Sequence, residues 1–194
     1  LHVKIVAQPS ISQDKSMNKE VNRSGQVRLL IILGILLAIN FALFYWPGFP
    51  GNLGTLYVDM PLDRIPDVHL RFAPDEIYDF LTRIGSDGRE AFRIMHLSVD
   101  LSFPFIYTLF FFLLIKFLML KLDWSVKWLL IIPILAGFFD LSENFILNYL
   151  TGQYPTFYPT LTAFVELITI IKFTLIITSL LIVIYLGLRS IRLP

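Results

Sequence analysis

Four long apolar runs decide what this chain can fold into: Leu29–Trp46, Leu97–Leu120, Trp128–Leu150 and Leu161–Leu188. A helix needs about 20 apolar residues to cross the hydrocarbon core of a bilayer, and each run is near or above that length. Lipid offers no partner to a backbone N–H or C=O, so a spanning segment must satisfy its backbone internally, as a helix does. Composition agrees. Of 194 residues 56% are hydrophobic and only 16% are charged, against roughly 25% charged in soluble domains. The chain is predicted to be an all-α, polytopic membrane protein. Its single four-helix transmembrane domain covers 29–188, between a polar N-terminal segment 1–28 and a tail 189–194.

Several function classes fall away on composition. The chain has no Cys, which excludes disulfides, thiolate catalysis, Cys-ligated zinc and iron–sulfur clusters. Net charge is +1 with no basic stripe, so nucleic acid is not an expected partner. His2, His69 and His96 all lie away from the middle of a span, so no haem is expected. Nucleophile elbows, phosphate-cradling loops and zincin motifs are missing. No cofactor is expected. A metal site from His96, Asp100, Asp140 and Glu143 has only generic spacing, and none is expected. At the N-terminus, Met17 follows a polar stretch and opens a short basic lead-in to the first run. Met17 is therefore read as the biological start, with a genuine upstream region as the alternative.

Lys and Arg near the span ends set orientation. Lys19, Arg23 and Arg28 precede the first run; Lys116, Lys121 and Lys127 flank the turn between the second and third; Arg189 and Arg192 follow the fourth. With four spans these groups share one side, so both termini are predicted to be cytoplasmic. The 47–96 and 151–160 loops then face outward. The setting is a bacterial inner or plasma membrane, with the ER membrane as an alternative. Arg89 and Arg93 in the outer loop are a dissenting signal.

The 47–96 loop carries helical signals. Tyr45-Trp46 suits an interface, and the Pro/Gly cluster 47–51 stops the first helix. Ala73-Pro74-Asp75-Glu76 is a helix start. Ile77, Phe80, Leu81 and Ile84 follow at i, i+3, i+4 and i+7, one apolar stripe. Residues 74–84 are therefore predicted to be an amphipathic helix that caps the bundle or lies on the membrane, stopped by Gly85. Asp87 and Glu90 have capping-box spacing for a second helix, predicted to run unbroken into the second span. The stretch 52–72 reads as irregular, with Thr55–Met60 extended.

Charge inside the spans marks the candidate site. In the third span Asp140, Glu143 and Asn144 fall at i, i+3 and i+4; in the fourth, Glu166 precedes a central Lys172. Each charge at a bilayer centre costs about 2.5–3.5 kcal/mol on insertion scales. In the second span His96, Asp100, Pro104 and Tyr107 fall at i, i+4, i+8 and i+11, one face, which Arg93 extends into the loop. With the predicted topology these groups gather in the outer half and at the midplane. The cytoplasmic half is Leu, Ile and Phe apart from Lys116, whose chain can snorkel. The pattern predicts an outward-facing polar pocket. Asp140, Glu143, Asn144 and Lys172 lie at its centre, Asp100 and Glu166 around it, and Arg93, His96 and Tyr107 towards its mouth. Pro104 would free a helix carbonyl towards it. Plainer roles compete: a register-fixing Asp140–Lys172 ion pair, interfacial Asp100, solvated His96, and Glu166, Thr169, Asn144 and Asn148 as interhelical hydrogen-bond glue.

The long outer loop between the first two spans, the cytoplasmic termini and an acid near a proline early in the second span (Asp100, Pro104) resemble the sterol-isomerase and sigma-2-receptor type of membrane protein. That resemblance implies intramembrane acids that hold a cationic amine or a carbocation-like intermediate. Lys172 has no role in it. Three functions are expected from the residues: binding or conversion of a small amphipathic or lipid-like molecule; an accessory or assembly subunit that pairs with other membrane subunits or with its own copies; or a proton-coupled transporter, for which four spans without inverted halves are few.

Overall fold

The computed structural model of the chain describes residues 11–47, 49 and 74–192. The described residues form helices and turns with no strand, and four helical stretches are long and apolar enough to cross a membrane. The helices are α1 (Ile11–Tyr45), α2 (Pro74–Arg83), α3 (Gly85–Leu97), α4 (Val99–Lys121), α5 (Ile131–Gln153) and α6 (Pro159–Arg192), with a 3-10 turn at Lys127–Leu130 before α5. The chain is a multi-pass, four-helix membrane bundle with a helical cap. The extended Thr55–Met60 stretch and the irregular 52–72 segment lie outside the described residues, as do Gly48, Pro50 and Gly51 of the first stop. Helix α1 starts well before its apolar run, at Ile11.

Helices α4, α5 and α6 pack mutually, and α1 lies against α4. The buried positions explain the arrangement. On α5 they are Pro133, Ala136, Gly137, Asp140, Glu143, Asn144, Leu147, Leu150 and Thr151, a repeat of three and four residues that keeps one seam turned inward. On α6, Thr162, Val165, Thr169 and Lys172 continue the seam. The α4–α5 contact is close because Gly137 has no side chain. A Cβ there would sit 2.1 Å from Thr108 Oγ1 and 3.4 Å from the Pro104 carbonyl. Thr108 Oγ1 donates to the Pro133 carbonyl at 3.2 Å across the same contact. Such small-residue approaches are how helices gain contact in lipid, where no hydrophobic difference drives them together.

The amphipathic helix α2 caps the bundle. Ile77, Phe80 and Leu81 are buried in one cluster with Phe92 and Met95 of α3, Leu147 and Leu150 of α5, and Val165 of α6. Polar ties fasten it to the α5–α6 connection. The Tyr78 hydroxyl donates to the Thr156 carbonyl (2.7 Å) and accepts from the Tyr158 N–H (2.9 Å). Burial holds that hydroxyl protonated beyond its ordinary range. Arg89 donates to the Leu81 carbonyl at 2.8 Å and lies over the Tyr154 ring. Gly85 takes φ +67° where α2 stops, the left-handed conformation that glycine adopts without a Cβ penalty.

Two local expectations are corrected. Asp87 and Glu90 form no capping box: α3 follows directly from Ile84, without a side-chain cap, and Asp87 already lies in its first turn. The acid there faces the positive end of the helix dipole, so it helps the terminus electrostatically. Nor does α3 run unbroken into the second span. Ser98 leaves helical geometry (φ −123°, ψ −94°), and its hydroxyl donates back to the carbonyls of Ile94 and Met95. Serine competes in this way for backbone acceptors at helix ends.

Gly137→Ala is expected to destabilise the bundle by about 1–3 kcal/mol, although alanine is the better helix former by about 1 kcal/mol. Thermal unfolding in detergent checks this. Adding Thr108→Ala, which removes the obstructing hydroxyl, should recover part of the loss.

Candidate functional site: a buried acid–lysine cluster

The centre of the bundle holds one lysine between two acids. Lys172 Nζ of α6 pairs with Glu143 Oε2 of α5 and lies 3.6 Å from Asp140 Oδ1. Thr169 donates its hydroxyl to the other oxygen of Glu143, Oε1, and to the Val165 carbonyl one turn back. From α4, Tyr107 places its hydroxyl beside the Asp140 carboxylate. Three helices thus contribute to one cluster. Glu143 is fully buried, and Asp140 and Lys172 are each 4% exposed. Helical periodicity brings them together: Asp140 and Glu143 are one turn apart on α5, Thr169 and Lys172 one turn apart on α6.

The electrostatics follow from the count. Two carboxylates meet one ammonium. Glu143 takes the short contact with Lys172 and the threonine hydroxyl, so its charge is answered. Asp140 stands at the longer distance with a neutral phenol beside it. Burying two carboxylates in such a setting is costly unless charge and hydrogen bonds meet them, and a proton or a further cationic group lowers that cost.

A second polar layer lies towards the cap. Pro104 lacks the N–H that would bond the Asp100 carbonyl, four residues back. Asn144 Nδ2 supplies the missing donor at 2.9 Å. The carbonyl freed by proline is thus capped by an amide from α5. His96 and Asp100 pair across the α3–α4 junction, Nε2 to Oδ2 at 3.7 Å. His96 is 1% exposed, so the solvated histidine of the sequence reading is replaced by a core one. Arg93 donates through Nε to Asn148 Oδ1 at 3.2 Å and approaches Glu90 at 4.0 Å.

Of the residues singled out in the sequence, Asp140, Glu143, Lys172 and Tyr107 meet, and Asn144 joins Asp100 to α5. Tyr107 lies within the cluster, deeper than a mouth. Glu166 stands apart: it is half-buried and makes no hydrogen bond or ion pair with the described residues. It lies six residues before Lys172, about 120° away round the helix, so it points off the seam. The cluster is shielded from solvent. An open cleft of about 600 Å³ lies elsewhere, at the cap end of α6, lined by Phe157, Tyr158, Leu161, Phe164 and Leu167. Among the described residues no group of three His, Asp or Glu is placed to hold a metal.

Sequence reasoning passed over Asn40. It is 5% exposed on α1 and donates to Ser102 Oγ at 2.6 Å and to the Val99 carbonyl at 3.3 Å. A lone amide in an otherwise apolar run was the available signal.

Removing the shared cation should cost far more than neutralising the outlying acid. Lys172→Met leaves two buried carboxylates unanswered and is expected to destabilise by about 3–5 kcal/mol. Asp140→Asn keeps the Lys172–Glu143 pair and should cost little or nothing. Thermal unfolding of the two variants in one detergent gives the comparison.

No protein-family model, no curated protein and no solved structure matches this chain.

Proposed function

We propose that the acid–lysine cluster binds or converts a small amphipathic or lipid-like molecule through a cationic group, or through positive charge that develops in reaction. The supporting observation is the second acid: Asp140 beside Glu143 on a single lysine, buried between three helices. Two acids that share one lysine in a low-dielectric setting favour a proton or an amine as a further partner. Tyr107, hydroxyl against Asp140, is the candidate proton partner of that carboxylate. Access is from the cap end, the outer side in this reading, since the Lys and Arg residues at the span ends favour cytoplasmic termini. A ligand enters by displacing the cap or by parting the helices, because the cluster residues are shielded from solvent.

Titration of the protein in lipid nanodiscs with a single-chain alkyl amine tests this. The amine should raise the unfolding temperature of the wild type and should raise that of Asp140→Asn much less. An equal shift in both would remove the proposal.

Glu166 favours a second reading, an accessory or assembly subunit. A carboxylate that its own helix seam leaves aside is suited to a donor on another membrane helix, whether a different subunit or a second copy of this chain. In that case a native pull-down from membranes should recover a larger complex, and Glu166→Ala should release it. Recovery of monomer alone from the wild type argues against this role.

A further inference from the structure

We propose that His96 and Asp100 form a second proton-binding site, a buried imidazolium held against a carboxylate where the cap joins the second span. It is separate from the lysine cluster and does not depend on the function proposed for that cluster.

The ring geometry carries the first step. His96 Nδ1 lies 2.8 Å from the Phe92 carbonyl. A carbonyl only accepts, so the hydrogen is on Nδ1. In a neutral ring Nε2 would then turn a lone pair towards Asp100 Oδ2, 3.7 Å away. Two electron-rich atoms would face each other in a site where both residues are buried. A second proton on the ring converts that contact into an attraction between opposite charges.

The helix break carries the second step. His96 lies in the last turn of α3, and Asp100 in the first turn of α4. The C-terminal end of a helix favours a cation and the N-terminal end favours an anion. Both ends exist here because Ser98 interrupts the helix; an unbroken helix would pair those backbone groups internally and offer neither. The two dipoles therefore support the imidazolium–carboxylate form from opposite sides.

The surrounding charges have partners of their own. On α3 itself, Arg93 turns to Asn148 and Glu90. From α5, Asn144 meets the Asp100 backbone carbonyl, while Asp140 and Glu143 are engaged with Lys172 of α6. From α1, the neutral Asn40 lies against Val99 and Ser102.

Nitrogen-15 NMR of histidine-labelled protein in nanodiscs tests the site. The chain has three histidines, and His96→Gln assigns the signal. At pH 7.5 a histidine with the ordinary pKa of about 6.5 is roughly nine-tenths neutral. His96 should instead show both ring nitrogens protonated. Asp100→Asn should convert it to the neutral Nδ1–H form, and Asp140→Asn should leave it unchanged. A neutral His96 in the wild type at pH 7.5 overturns the proposal, and so does an Asp100→Asn spectrum identical to wild type. A shift caused by Asp140→Asn would overturn the separateness of the two sites. Should Asp100→Asn fail to fold, the wild-type spectrum still decides.

Discussion

The contact between Lys172 and the α5 acids is the constraint to which the rest of the bundle conforms. A lysine in the middle of a span is tolerated only where opposite charge meets it inside the protein. Glu143 does so directly and Asp140 from farther off. The pairing sets the rotation of α5 and α6 about their axes and their relative height, since a slip of one turn would move the ammonium about 5.4 Å from its partners. Aliphatic contacts alone select register weakly in lipid, because a leucine loses little by facing an acyl chain instead of another leucine.

The second span answers a different demand. Pro104 deprives the Asp100 carbonyl of its helical donor, and Asn144 restores one from α5. The proline thus becomes a cross-link between helices instead of a defect. Gly137 and Thr108 bring the same two helices close one to two turns further along. Together they hold Tyr107 beside Asp140, so proline and glycine set the position of a hydroxyl that neither touches.

The cap is a soluble-style element fixed to a membrane bundle. Helices α2 and α3 bury Ile77, Phe80, Leu81, Phe92 and Met95 against the ends of α5 and α6, and Tyr78 and Arg89 add polar ties at the rim. The interruption at Ser98 separates this unit from the span and turns two opposed helix ends towards the His96–Asp100 pair. Asp100 thereby ties the cap to α5: its carboxylate faces His96 and its carbonyl accepts from Asn144.

Much of this could be read before any tertiary contact was known. The four spans, the cap helix with its Ile77–Leu81 stripe, the stop at Gly85 and the shared face of His96, Asp100, Pro104 and Tyr107 follow from hydrophobic period and backbone sterics, which are local properties. Asp140, Glu143 and Lys172 stood out because a charge in a long apolar run is costly wherever its neighbours lie. Which charges meet was not local. Glu166 and Lys172 share a helix, about 9 Å apart along its axis, yet only Lys172 lies on the seam, and the rotation of α6 against α5 decides that. His96 looked solvated because its burial depends on how the cap folds over it. The break at Ser98, the absence of a capping box at Asp87 and the Asn40 anchor on α4 likewise depend on competition between neighbouring acceptors and on the approach of another helix. The sequence by itself determined that buried charge must be neutralised inside this bundle. The tertiary structure decided which partners do it, because partner choice rests on helix rotation and height, which a one-dimensional pattern does not contain.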